Sequence, residues 1–138
     1  MAAQNPYQKY QNVQVQTADQ GKLIIMLYQG CIKFLKLAKK SIEEKDIEGA
    51  NNNLTRAQAI VNELKVTLDK EKGGQIAENL DNLYEFMSYQ LIQANIKKDT
   101  TQIEVVEELM IELLDAWKQI INKQSKKNNQ KEAVSIQG

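Results

Sequence analysis

A single thiol, eighteen carboxylates, eighteen basic side chains and five tyrosines are the groups in this chain able to attack, ligate or move protons, and there is no histidine. A nucleophilic cysteine normally needs an imidazole base, and Cys31 has none to draw on. The missing imidazole also removes His phosphotransfer, His-ligated haem, di-iron sites built on Glu-x-x-His pairs and Ser-His-Asp hydrolysis. No P-loop and no G-x-G-x-x-G is present, and the one glycine pair, Gly73-Gly74, reads as a turn. Cys31 cannot form an internal disulfide, and it falls on an apolar stripe beside Tyr28, Ile32 and Leu35, where a thiol packs as a small hydrophobe. The residues therefore predict no enzyme, no cofactor and no metal.

The pattern around Cys31 shows what the chain does build. Ile24, Tyr28, Cys31, Leu35, Ala38 and Ile42 recur in alternating steps of four and three, the seam of a packed helix. Ile47, Ala50, Leu54, Ala57, Val61, Leu64 and Leu68 give a second seam. Ala77, Leu80, Tyr84, Met87, Leu91 and Ala94 give a third, and Ile103, Val106, Met110, Leu113, Trp117 and Ile120 a fourth. Asp19 suits an N-cap, and Thr101 with Glu104 has the spacing of a capping box. Connections near Glu43–Asp46, Asp69–Gly74 and Lys97–Thr100 are only a few residues long, so consecutive helices run antiparallel. The expected fold is all-α: an up-down-up-down four-helix bundle over residues 17–123, after a flexible N-terminal segment (1–16) and before a disordered polar tail (124–138).

Balanced charge provides no field for nucleic acid or an anionic surface. No run reaches the roughly 20 apolar residues of a membrane span, and MAAQNPYQKYQN lacks the basic start and apolar stretch of a signal peptide. The expectation is a cytoplasmic protein that neither binds nucleic acid nor enters a membrane.

The first helix has more apolar surface than a bundle requires. Thirteen of the twenty residues from Leu23 to Ile42 are apolar, whereas a bundle helix needs roughly three positions in seven. Leu23, Leu27, Phe34 and Leu37 form a second stripe one residue ahead of the seam, with Met26 beside it. The fourth helix has a milder excess that includes Val105 and Leu109, and the third has one through Ile76, Leu83, Phe86, Tyr89 and Ile92. A wide buried face, a homodimer contact and a groove for a partner's amphipathic helix all fit this surplus. In the polar head, Tyr7, Tyr10, Val13 and Val15 fit either a frayed terminus or a packed segment.

Asn5-Pro6-Tyr7, Tyr10-Gln11, Thr17-Ala18, Gly21-x-Leu23 and Met26-Leu27-Tyr28-x-Gly30 stand in an order that resembles the flagellin-specific export chaperone family, FliS. The likeness continues through Ala57-Gln58-x-Ile60, Leu68-Asp69, Asn79-Leu80-x-x-Leu83-Tyr84-x-x-Met87, Ala94-Asn95 and Ala116-Trp117-Lys118-Gln119, covering residues 5 to about 122. Two features depart from the family pattern: Asp19-Gln20 replaces a Ser-Pro or Thr-Pro helix start, and Ser88-Tyr89-Gln90 replaces paired arginines. The resemblance implies a chaperone that binds the C-terminal segment of flagellin, prevents its premature polymerisation and assists its delivery to the flagellar export gate. On that reading the surplus apolar stripe is the flagellin groove, lined by Leu23, Met26, Leu27, Phe34, Leu37 and Leu109. Tyr7, Tyr10 and Val13 would cover that groove or touch the export gate or flagellar regulatory proteins. A purely structural or oligomerising bundle is the alternative.

Overall fold

The computed structural model describes residues 20–137. They form four helices: α1 (Gln20–Glu43), α2 (Ile47–Val66), α3 (Lys70–Lys97) and α4 (Thr100–Gln137). α1 packs against α2 and α4, and α3 against the same two, so α1 and α3 face each other across the diagonal of an antiparallel bundle. The head, with Tyr7, Tyr10, Val13 and the Asp19 cap, lies outside the described residues.

The heptad seams are the core. Tyr28, Cys31, Leu35 and Ala38 of α1 meet Leu54, Ala57, Val61 and Leu64 of α2, Tyr84, Met87, Leu91 and Ala94 of α3, and Ile103, Val106 and Met110 of α4. At the ends of the bundle the seams lose their burial. Ile47, at the first position of α2, is 68% exposed, and Ile120 is 54% exposed. An end layer has neighbours on one side only, so a correct heptad position there need not be buried.

The core is joined by polar atoms as well as by apolar ones. The hydroxyls of Tyr28 and Tyr84 share a hydrogen bond of 2.5 Å across the α1–α3 diagonal. Trp117 Nε1 donates to the Tyr28 hydroxyl at 3.1 Å, which adds α4 to the cluster. Three helices thus place their polar aromatic tips together, satisfying groups that would be costly to bury alone. Burial pushes both tyrosines above their ordinary pKa.

The helix starts refine the sequence expectation. Within the second connection the Asp69 carboxylate accepts from Lys72 N at 3.1 Å and caps one helical turn from Lys70. Gly74 then breaks the helical path with φ 52° and ψ −129°, a conformation only glycine adopts without strain. At the start of α4, Asp99 rather than Thr101 supplies the capping oxygen, since its carboxylate accepts from Thr101 N at 2.9 Å. That bond holds the Asp99 carboxyl below its ordinary pKa. The helix of α4 also passes the boundary at Gln124 and runs to Gln137. Between Thr100 and Gln137 there is neither glycine nor proline, and the good helix formers Lys, Gln, Glu and Ala make up 17 of the 38 residues.

Candidate partner-binding face

The surplus stripe of α1 divides into two layers. Leu27 and Phe34 are half-buried and pack against the core, and Leu23 is half-buried as well. Met26 and Leu37 are exposed, at 65% and 39%. The flank of α1 they occupy is settled by contacts to α2. Arg56 of α2 lies 5.6 Å from the centroid of the Phe34 ring, and a Cβ at Gly30 would stand 3.4 Å from Ile60 Cδ1. The opposite flank of α1 meets α4, where Lys39 pairs with Glu107 at 2.6 Å and Gly21 sits against Ile121. The Glu107 contact raises the Lys39 pKa. Leu23, Met26, Leu27, Phe34 and Leu37 therefore follow one line along the α1–α2 seam.

Leu109 does not join them. It is half-buried on α4, two residues past Glu107 and so about 200° around the helix from the residue that faces α1. Val105, one turn earlier on the same face, is exposed. α3 contacts α2 through Asp81, which lies near Lys65, and through Asn95, whose side chain donates to Asn51 Oδ1 at 2.7 Å. Phe86 is about 140° around α3 from Asp81, on the flank away from α2, and it too is exposed. A second apolar strip thus runs between α3 and α4.

The sequence ranks α1 as the helix with most apolar surface to spare, and the structure reverses that ranking. Among the described residues, the exposed large apolar side chains of α3 are Ile76, Phe86, Tyr89, Ile92 and Ile96, whereas those of α1 are Met26 and Leu37. The second stripe of α1 is largely consumed by the α1–α2 seam. Val66 and Ile96 are the exposed apolar residues that periodicity missed; Ile96 lies four positions after Ile92, and this i, i+4 relation is the signal that reveals it.

Cys31 is buried, its Sγ lies 3.7 Å from the Ala57 carbonyl oxygen, and burial pushes its pKa up to about 12. A thiol held protonated in that way is inert as a nucleophile. Among the described residues no cluster of His, Cys, Asp or Glu has the arrangement of a metal site, and no helix is long and apolar enough to cross a membrane.

Comparison with known proteins agrees with the fold and goes beyond it. The family model described as "Flagellar protein FliS" matches residues 3–124. The flagellar secretion chaperone FliS of Bacillus subtilis is 44% identical over 126 residues, covering 91% of this chain and 93% of the relative. That of Salmonella typhimurium is 42% identical over 112 residues, covering 80% and 83%. A crystal structure titled as a flagellar chaperone from bacteria superposes with a TM-score of 0.73 at 18% identity, over 86% of this chain and 99% of the other, and speaks for the fold alone. A matching family model over most of the chain, together with relatives above 40% identity, makes this protein a member of the flagellar secretion chaperone family FliS.

Proposed function

We propose that the protein is a cytoplasmic chaperone that binds the disordered C-terminal segment of flagellin, keeps it from polymerising and assists its delivery to the flagellar export apparatus. The observation that carries this reading is the line of exposed and half-buried apolar side chains from Leu23 to Leu37, set on a four-helix bundle. A filament subunit whose terminal helices fold only on assembly presents apolar stripes, and a preformed apolar seam covers such a stripe by helix-in-groove docking. Ordering the client costs about 2–5 kcal/mol of the gross interaction, which favours a long contact over a compact one. The second strip, with Phe86, Val105 and Leu109, lengthens the available track around the bundle.

In this reading the head from Met1 to Gln16 shields the groove through Tyr7, Tyr10 and Val13 until the client arrives, and afterwards is free for the export gate or flagellar regulatory proteins. Mixing the purified protein with a flagellin C-terminal peptide tests the main claim: a 1:1 complex on gel filtration is expected. No complex, with the protein instead associating with itself, would favour a structural bundle. Deleting residues 1–16 should increase binding of an apolar dye and leave client affinity equal or improved. Unchanged dye binding with much weaker affinity would mean that the head contacts the client directly.

A further inference from the structure

The second half of α1 is rich in cations, with Lys33, Lys36, Lys39 and Lys40. Two cations approach the Phe34 ring, Lys33 Nζ at 5.9 Å and Arg56 Cζ at 5.6 Å from its centroid. One turn on, exposed Leu37 borders a shallow cleft on α1 together with Lys33, Lys36 and Lys40. Among the described residues, Lys33, Lys36, Lys40 and Arg56 have no carboxylate within 4 Å; the ion pair that α1 makes goes through Lys39 to Glu107. Lys33 and Arg56 thus flank Phe34, and Lys33, Lys36 and Lys40 flank Leu37 on the outer face of α1.

Exposed Glu43 and Glu44 follow Lys40 by one turn, and neither comes within 4 Å of these cations. From residue 1 to 19 the charged side chains are Lys9 and Asp19, so the head carries no net charge to place over them. The first half of α4 is acidic: Glu104, Glu108 and Glu112 are exposed and no Lys or Arg occurs from Thr100 to Ala116. The two faces are opposite in sign, and a helix with charged flanks is welcome at one and repelled at the other.

We propose that the Phe34–Lys40 end of the seam docks an amphipathic helix whose apolar stripe is flanked by carboxylates, and that this charge match fixes which part of the client lies there. The inference rests on the chaperone reading given above and adds the client's chemistry. Phe34 and Leu37 receive the apolar stripe, while Lys33, Lys36, Lys40 and Arg56 receive the acids. Exposed charges are screened within about 8 Å at physiological salt, so the selectivity is expected to weaken as salt rises while the apolar part of the affinity persists.

The test uses two helical peptides of about 18 residues, five turns at 3.6 residues each, with the same leucine stripe, one flanked by Glu and the other by Lys. Their binding to the full-length protein is measured by fluorescence anisotropy at low and high salt. The Glu-flanked peptide should bind at least tenfold more tightly at low salt, and the K33E/K36E/K40E variant should reverse the preference. R56E provides a second variant on the other helix, and circular dichroism confirms that both stay folded. Equal affinities, a preference for the Lys-flanked peptide, or a preference that the charge reversals leave intact overturns the proposal. The flagellin C-terminal peptide, run alongside, keeps the two readings apart. Its 1:1 complex without any charge preference sinks this inference alone, and a charge preference without that complex sinks the flagellin reading alone.

Discussion

α1 and α3 stand on the same diagonal of the bundle and touch through their tyrosine hydroxyls, yet they use their apolar residues in opposite ways. α1 is the richer in apolar residues, and most of these are spent inside, on the seam and on the half-buried line against α2. α3 follows a plainer pattern and leaves Phe86, Tyr89, Ile92 and Ile96 at the surface. A helix's apolar count thus measures how much it can bury, and its neighbours decide how much it does. Where two helices approach as closely as Gly30 allows at Ile60, a second stripe becomes core.

The sharpest way to break this comparison is to charge one residue on each helix. Leu35→Glu places an unpaired carboxylate at a fully buried position, and a loss of about 3–5 kcal/mol is expected, enough to unfold many domains of this size. Tyr89→Glu, at an exposed position of α3, should cost less than about 0.5 kcal/mol. Thermal melts followed at 222 nm decide the matter, and equal losses would show that the surface of α3 is part of the folded core. Leu113 and Leu27, half-buried, should fall between these extremes.

The buried thiol gives a smaller, pH-dependent contrast. Cys31 has its pKa pushed from about 9 to about 12 by burial, so the folded state keeps a proton that the unfolded chain releases. Its contribution is complete below pH 9 and is lost progressively as pH rises from there through 12, at up to about 1.4 kcal/mol per pH unit. Tyr28 and Tyr84, also raised, add to the loss in the same direction at higher pH. Urea midpoints at pH 8 and pH 10 should fall in the wild type and fall less in Cys31→Ala, which itself costs about 1 kcal/mol at pH 8. A midpoint drop of the same size in both proteins would show that the thiol is not the titrating group.

Client binding separates the two apolar tracks. A Met26→Glu/Leu37→Glu double variant should stay folded, since both positions are exposed, and bind the flagellin peptide at least tenfold more weakly, about 1.4 kcal/mol. A Phe86→Glu/Val105→Glu variant measures the α3–α4 strip by the same titration. If only the second pair matters, the groove belongs to α3 and α4. The smallest effect lies in a turn: Lys45 holds φ at 61° between α1 and α2. Lys45→Gly should relieve this strain and raise stability by about 0.5–1 kcal/mol, visible as a small rise in Tm.

The sequence alone determined the four helices, their order and the identity of most core residues. Heptad spacing and short connections leave a chain without histidine, with one cysteine and with few glycines little else to build. Residues such as Tyr28, Leu54, Met87 and Ile103 were legible because periodicity is a local property of the chain. The candidate face was legible only as a surplus. Whether Phe34 is core or surface, whether Leu109 stands beside Leu23 or around the bundle from it, and which lysines lack an acid all depend on residues far away in sequence. The rotation of each helix about its own axis, and the partner it meets on each flank, are set by side chains interlocking across the seams. Only the tertiary structure therefore decided where the spare apolar surface and the unpaired charge came to lie.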